Sequence, residues 1–382
     1  MSLGIIKEKF IRILNSIILK IFLIFFLFIP SFIFAYPSGR DNVLEEALNK
    51  WESHPKDEVI IKKDNLTSLT VKYPSKREEE IEKVFRNIEM EIALGIGYIF
   101  GETSYEIKFS SAGVEGKSRL DFPLGNWLVG LKTSIGYSPL YLNFEGWTQL
   151  RKVASGEMAD KDWVDSFLFS STKSDAELKL KILDINLLYY FLEGKMLWED
   201  WPSTREGKAG VLLGYKFEDF DYDIYGIKDE IFNISSYMGE KVLEYEVKYK
   251  IPYFGVSGYF VDVTNPEFFI DRWGMEGKLC FSPYLKANDE DNHVLRNKVS
   301  YGKTKGNGWL LGVNAFLRTK TDWTFRGGLD YTYIKTDGSQ EQYWYGDDPN
   351  TFGDDTGTRV TGIDLKIESW QLFWWWGIEY KF

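Results

Sequence analysis

The chain has 382 residues with 57 acidic and 46 basic side chains, a net charge of -11 at pH 7, and 17% aromatic residues. The first 35 residues carry +3, so the remainder carries -14, a balance that repels nucleic acid and favours cationic partners. The single cysteine, Cys280, excludes an internal disulfide.

The N-terminus has the pattern of an export signal over residues 1–35. Three basic side chains in the first 12 residues precede an unbroken apolar run at 21–29, and Ala35 offers a small residue for cleavage. The alternative is an uncleaved membrane anchor. Lys20 and Pro30 confine the apolar core to nine residues, however, which is too short to span a bilayer. We therefore predict a signal peptide.

Residues 36–88 are polar and highly charged. Asp41 is a candidate N-cap for a short helix, and a second helical pattern covers residues 76–87. No arrangement of side chains in this segment indicates chemistry. We predict a polar, partly helical periplasmic extension or linker.

From Ile92 the hydrophobic pattern changes to a period of two, with Leu94, Ile96, Tyr98 and Phe100 on the same face. The pattern recurs to the end of the chain, and we count ten strands. Tight turns, as at Ser138–Pro139, alternate with long polar loops at about 102–117, 151–175, 225–240, 286–298 and 337–357.

These features distinguish a membrane barrel from a soluble sandwich, whose strands average only about 5–6 residues. Long strands, an even count and loops that alternate in length are typical of outer-membrane barrels. The final segment alternates from Leu372 to Phe382 and ends on an aromatic residue, as a terminal barrel strand does. The sequence predicts that residues 89–382 form an all-β, ten-stranded antiparallel transmembrane β-barrel with long extracellular loops.

Two acidic clusters fall in the predicted loops on one rim. Asp160 and Asp162 lie in one, and Asp291 and His293 in the other, where His293 is the only histidine besides His54. At a strand end, an Asp-x-His spacing puts both side chains on one side, so the carboxylate can orient the ring and raise its basicity. A solvated acidic loop is the alternative interpretation of each cluster.

The shared rim predicts that the two clusters face each other across the mouth. Two carboxylates a few ångströms apart do not readily both ionise, so one of Asp160 and Asp162 is expected to hold a proton near neutrality. Opposite them, His293 backed by Asp291 can act as general base. A water between the two groups is a competent nucleophile for an amide carbonyl.

These residues resemble the omptins, a family of outer-membrane endopeptidases of Gram-negative bacteria with ten-stranded barrels. The resemblance implies that Asp160, Asp162, Asp291 and His293 activate the attacking water. It also implies an acidic pocket for a basic substrate residue, which Glu106 and Asp289 match. The matching segments, spread in order through the predicted barrel, are residues 118–122, 146–148, 158–166, 214–215, 249–255 and 288–293.

The same resemblance implies an outer-membrane location with the active site facing the exterior, cationic peptide or protein substrates, and lipopolysaccharide as an activating lipid. The family's Tyr-x-Glu-x-Arg lipid pattern is broken after Tyr215, whereas Lys248 supplies a basic residue at an expected place. We expect a monomer with no cofactor.

Two other functions remain open at this point. A non-enzymatic barrel, either an adhesin or a small pore, would keep the scaffold without the chemistry. A metal site at residues 289–293 is the third interpretation. Against a metal, Val294 stands where a Ca²⁺ loop needs glycine, and one histidine supplies no zinc ligand set. We therefore predict no metal.

Overall fold

The computed structural model describes residues 88–111, 114–149, 151–196, 204–263, 269–321 and 323–381. The chain divides into two units, residues 1–83 and 84–382, and the described residues lie in the second. The predicted signal peptide, His54 and all of the predicted extension except Ile88 lie outside the described residues.

The described residues form twelve strands, all paired antiparallel, and one 3-10 helix at Val294–Arg296. In these ranges, no helix is long and apolar enough to cross a membrane. The strands are β1 (Glu89–Ser111), β2 (Val114–Pro123), β3 (Asn126–Tyr137), β4 (Leu140–Thr148), β5 (Val153–Val164), β6 (Phe167–Met196), β7 (Thr204–Asp229), β8 (Ile234–Val263), β9 (Ile270–His293), β10 (Lys298–Thr319), β11 (Trp323–Trp344) and β12 (Arg359–Lys381).

The paired strands form a ring, because the first strand is hydrogen-bonded to the last. β1 pairs with β12 along one edge. Along its other edge, residues 89–99 pair with β3 and residues 102–111 pair with β2. β6 likewise pairs with β4 through residues 181–189 and with β5 through residues 167–178. We call the part built with β3 and β4 the lower half, and the part built with β2 and β5 the upper half.

The predicted count of ten strands is wrong, since the described residues form twelve. One predicted strand is interrupted at Leu124 and Gly125, which separates β2 from β3, and β5 is a further strand within the segment predicted as the loop at 151–175. At either height the ring still contains ten strands, because β3 and β4 complete it below and β2 and β5 complete it above.

The prediction of long loops is also wrong for most of the upper connections. Apart from the segment at 337–357, the described residues of the predicted loops lie mostly in strands, and the hairpins β5–β6, β7–β8 and β9–β10 turn at residues 165–166, 230–233 and 294–297. Among the described connections, only residues 345–358 form a long loop. The stretches of upper strand at residues 159–162 and 288–293 are polar on nearly every position, so they lack the apolar alternation by which the lower strands are recognised.

The outer face of the lower half is apolar. Above it the outward residues become polar, as at Glu102, Lys250, Lys286, Lys305 and Lys335, so the upper half stands clear of the apolar band. Exposed large apolar side chains in the band include Leu94, Ile96, Trp127, Leu131, Leu142, Ile185, Leu187, Leu213, Phe254, Trp309, Phe325, Trp374 and Ile378.

The interior of the ring is charged in the lower half and aromatic above it. Below, Lys216 contacts Glu218 at 2.6 Å, and Arg326 contacts Glu379 at 2.5 Å, so interior charges are paired. Above them lies an aromatic layer in which Phe122 stacks on Tyr245 with ring centroids 4.2 Å apart. We call this layer, formed by Tyr105, Phe122, Tyr222, Tyr245 and Tyr249, the aromatic floor, because the acidic residues lie at and above its level.

Candidate active site

The upper end of β9 directs three of the predicted residues into the ring. Asp289, Asp291 and His293 alternate with outward-facing Asn288 and Glu290. Asp291 is only 2% exposed, and its Oδ2 lies 3.0 Å from Nε2 of His293. A carboxylate can only accept, so Nε2–H is the donor and the lone pair of the ring is left on Nδ1.

Asp160 and Asp162 lie on β5, in the upper half, rather than in a loop. Their neighbours across the ladder are Leu120 and Ser118 of β2. Leu120 is buried against the aromatic floor, and Asp160 shares its face of the sheet. Regular strand pairing therefore fixes both carboxylates on the inner wall.

The carboxyl pair on β5 and the Asp291–His293 dyad on β9 interact electrostatically. Burial raises the pKa of the Asp160 carboxyl to about 7, and the negative charges of Asp162 and Asp291 act in the same direction. Asp291 belongs to β9, which three strands separate from β5, so its effect comes across the interior of the ring. The pair on β5 and the dyad on β9 thus face a common space.

Two cations that the sequence interpretation missed border this space. Arg296 donates to Asp348 at 2.8 Å, so its charge is paired. Lys298 begins β10 directly opposite His293, is 6% exposed, and stands over the ring of Trp344 with Nζ 5.8 Å from the centroid. The available signal was the tight β9–β10 turn, which returns Lys298 to the inner face within five residues of His293.

Asp289 lies one inward position below Asp291 and is 5% exposed. Neither of its carboxylate oxygens receives a hydrogen bond from another described residue. It pairs across the ladder with Gly302, where an added Cβ would collide with its Oδ1. Burial raises the pKa of Asp289 well above its usual value, and the charge of Asp291 adds to the shift. This buried acid would gain a favourable partner from an incoming cation.

The structure does not bring Glu106 to Asp289. Glu106 pairs with Lys117 at 3.2 Å and with Lys108 at 3.7 Å on the outer face of β1. The inward position belongs to its neighbour Tyr105, whose hydroxyl donates to Oε1 of Gln340. Because side chains alternate along a strand, a difference of one residue moves a carboxylate from the pocket to the outer wall.

Within the described ranges, no three or more His, Cys, Asp or Glu side chains are grouped so as to hold a metal ion. The acidic groups instead combine a proton-holding carboxyl, a histidine oriented by a carboxylate, and a deeper unpartnered acid. This combination suits general acid–base chemistry on a substrate with a cationic side chain.

Comparisons with known proteins identify the family and several relatives. A model of the Omptin family matches residues 86–343. The plasminogen activator of Yersinia pestis is 25% identical over 257 residues, which cover 64% of this chain and 76% of that protein. Protease 7 of Escherichia coli strain K12 is 25% identical over 267 residues, covering 62% and 77%. Outer membrane protease OmpP of the same strain is 23% identical over 259 residues, covering 63% and 76%.

Among solved structures, outer membrane protease OmpT of Escherichia coli superposes with a TM-score of 0.61. The match covers 77% of this chain and 97% of that one at 19% identity. At this identity the match shows a common fold.

Proposed function

The chain belongs to the Omptin family, and from that premise we propose that it is an outer-membrane endopeptidase that hydrolyses peptide bonds next to basic residues. Relatives named plasminogen activator, protease 7 and outer membrane protease support this class of reaction. The single observation that carries the mechanism is the Asp291–His293 dyad, which faces a buried Asp160 carboxyl with its pKa raised to about 7.

The attacking group in this mechanism is a water held between β5 and β9. Nδ1 of His293 takes one proton as the water oxygen bonds to the carbonyl carbon, and Asp291 stabilises the imidazolium that forms. Ionised Asp162 accepts a hydrogen bond from the water, while Asp160 keeps the proton of the pair. The π electrons of the carbonyl move to its oxygen, which becomes an oxyanion.

Breakdown of the tetrahedral intermediate completes the reaction. The oxyanion electrons re-form the carbonyl, the carbon–nitrogen bond breaks, and His293 passes its proton to the leaving nitrogen. The products are a carboxylic acid and an amine, and the catalytic groups return to their starting protonation. No side chain forms a bond to the substrate, so neither serine nor cysteine is required.

We assign substrate recognition to Asp289. Its buried carboxyl has no cation among the described residues within ion-pair distance, and it lies one inward position below Asp291. A lysine or arginine side chain of the substrate would pair with it and return it to the ionised form. This supports cleavage beside basic residues, with Asp289 as the pocket acid and without Glu106.

The apolar outer band supports a position in the outer membrane of a Gram-negative bacterium. Tryptophans at the band, such as Trp127, Trp309 and Trp374, suit the interface between lipid and water. The polar upper half then projects from the membrane, and we propose that it faces the exterior with the active site. We propose a monomer as the functional unit, since the ring closes within one chain.

Lipopolysaccharide is kept as a proposed lipid partner of the outer wall. Lys181 and Lys248 face outward there, although Lys181 contacts Asp219 at 3.2 Å and Lys248 contacts Glu246 at 2.6 Å. Peptidase activity measured with and without added lipopolysaccharide tests this directly. A dependence that Lys248→Ala abolishes would support the wall as the binding surface.

The central test uses the full chain refolded in detergent with a fluorogenic peptide containing Arg-Arg. We expect cleavage between or beside the arginines, and loss of activity in Asp160→Asn and His293→Ala. Glu290→Gln is the matched control, because Glu290 lies on the same strand but faces outward. Full activity in a double variant of Asp160 and His293 would refute the mechanism.

A non-enzymatic barrel is the second candidate, favoured by the outward position of Glu106, which leaves one acid in the pocket. An adhesin or small pore needs no water-activating groups. Single-channel conductance in a planar bilayer, together with no cleavage of any basic peptide, would favour this function over the peptidase.

A further inference from the structure

The groups assigned to water activation leave the developing oxyanion without a cationic partner. Attack on the carbonyl creates an oxyanion, yet Asp160, Asp162, Asp289 and Asp291 are all carboxyl groups, of which only neutral Asp160 has a proton to donate, and His293 is occupied with the water proton. In peptide hydrolysis, donors aimed at the developing oxyanion contribute much of the rate acceleration. A cationic group at the mouth of the ring would supply this stabilisation.

We infer that Lys298 is a further catalytic residue, whose ammonium group binds the carbonyl oxygen of the substrate as it becomes an oxyanion. The inference rests on the proposed function, because an oxyanion forms only if the protein hydrolyses a peptide bond. Its structural basis is a lysine fixed on the inner wall beside the His293 dyad and facing the carboxyl pair of β5.

Position is the first argument. Lys298 is the ladder partner of His293 on one side and of Trp344 on the other, so these three side chains occupy one inward row. The next row down contains Asp291 and Ser300. The turn that precedes Lys298 is closed by Asn297, with φ 49°, and by a hydrogen bond from its backbone N–H to the carbonyl of Val294. The side chain is therefore held at the wall of the site.

Charge is the second argument. Arg296 is paired with Asp348 at 2.8 Å, which withdraws that cation from the site. No carboxylate of the described residues lies within 4.0 Å of Nζ of Lys298, so this ammonium is available to a ligand. Its charge nevertheless reaches both halves of the site, because it acts on Asp160 of β5 and interacts with Asp291 of β9.

The electrostatic surroundings of Lys298 mean that its ammonium group would be stabilised by a new anion beside it. Burial lowers the pKa of Lys298, as does the positive charge of Arg296, while Asp291, Asp348 and Asp160 act in the opposite direction. His293 is the remaining titratable neighbour, on β9. An oxyanion formed beside Lys298 would compensate its burial only in the transition state, which is the condition for a rate effect instead of simple binding.

The experiment compares Lys298→Gln and Lys298→Arg with wild type in the refolded full chain. Lys303→Gln is the control, because Lys303 lies on β10 but faces outward. The Arg-Arg peptide reports kcat and KM. A peptide phosphonate, with a tetrahedral anionic group in place of the scissile carbonyl, reports binding without turnover. Heat-modified migration on gels confirms that each variant is folded.

For Lys298→Gln we expect kcat to fall roughly 100- to 1000-fold, as for the loss of one oxyanion donor, with KM changed much less. Phosphonate affinity should fall in parallel, and Lys298→Arg should recover part of both losses. The high-pH limb of kcat/KM should also move upward, because the charge of Lys298 lowers the pKa of Asp160. Lys298→Arg keeps the positive charge and should leave this limb in place.

The outcomes separate this inference from the proposed function. Unchanged kcat and phosphonate affinity in a folded Lys298→Gln protein would overturn the role of Lys298 while leaving the peptidase intact. Phosphonate binding that depends on Lys298 in a chain that cleaves no peptide would refute the peptidase and support the anion site. A wild-type chain that neither cleaves nor binds the phosphonate would refute both.

Discussion

Asp160 shows how one buried carboxyl links stability to pH. Its pKa is raised from 3.8 to about 7, so between these values the folded protein holds a proton that the unfolded chain releases. The contribution of Asp160 to folding is therefore fully present below about pH 4. It is lost as the pH rises through 7, an effect of up to about 4 kcal/mol.

The loss of this contribution at higher pH gives a first prediction. Asp160→Asn keeps the shape of the side chain but removes its titration, so its free energy of unfolding should fall less between pH 4.5 and 8 than that of wild type. Urea unfolding in detergent micelles at several pH values measures the difference. Parallel pH profiles for the two proteins would contradict the raised pKa.

The pocket supplies a second prediction at the residue scale. Asp289→Asn should lower kcat/KM for peptides with lysine or arginine at the cleavage site by roughly 30-fold or more, since losing one partner of a buried ion pair costs about 2 kcal/mol or more. Glu106→Gln should change it less than about twofold, because Glu106 faces outward toward Lys117. Steady-state kinetics on paired basic and neutral peptides tests both variants, and a larger loss in Glu106→Gln would reverse the assignment.

At the scale of elements, the break between β4 and β5 is repaired by a side chain. The backbone N–H of Leu180 on β6 donates to Oε1 of Gln149 at 2.8 Å, and the N–H of Gln149 donates to the carbonyl of Leu180. Gln149 therefore replaces one residue of the ladder at the point where the partner strand of β6 changes from β4 to β5.

We expect Gln149→Leu to destabilise the protein by about 1–3 kcal/mol, because the buried N–H of Leu180 would lose its acceptor. The urea midpoint at neutral pH measures this change. Asn288→Ala, at an exposed outward position of β9, is the control and should leave the midpoint unchanged. Equal midpoints for Gln149→Leu and wild type would show that the break needs no bridge.

The elements also show how far the sequence could be interpreted. In the lower half, each strand has one lipid-facing and one interior face, and its residues alternate accordingly. Strands such as Ile92 to Phe100 can therefore be recognised from the sequence. In the upper half the stretches around Asp160 and Asp291 are polar on both faces, and in the sequence they therefore resemble loops. The pairing of Asp291 with His293 could still be predicted, because the Asp-x-His spacing involves only two residues of one strand.

The rest of the site depends on contacts between distant strands, which one sequence does not display. Tyr105 and Glu106 differ by a single step in the chain, and only the ladder decides which faces Asp289. Lys298 belongs to the site because β10 pairs with β9 at His293, and it has no motif of its own.

For the whole molecule, closure is the property that makes residues 84–382 a structural unit. Every described strand has a hydrogen-bonded neighbour on each edge, and β1 and β12 complete the ring without residues from outside this range. The aromatic floor and the interior ion pairs lie within the same unit.

We therefore predict that a chain beginning at residue 84 refolds in detergent and retains peptidase activity within a few fold of the full chain. Gel mobility before and after boiling reports folding, and the Arg-Arg peptide reports activity. Failure of the shortened chain to refold under conditions where the full chain succeeds would show that the first 83 residues are required.

Closure of the ring also fixes the width of its opening. Widening a ring of paired strands requires a whole row of backbone hydrogen bonds to break. β5 and β9 therefore cannot move apart as the two domains of a hinged enzyme do. An opening of fixed width favours an extended polypeptide over a bulkier folded element. If the proposed peptidase activity holds, we expect extended loops and unfolded tails to be cut and compact domains to be spared.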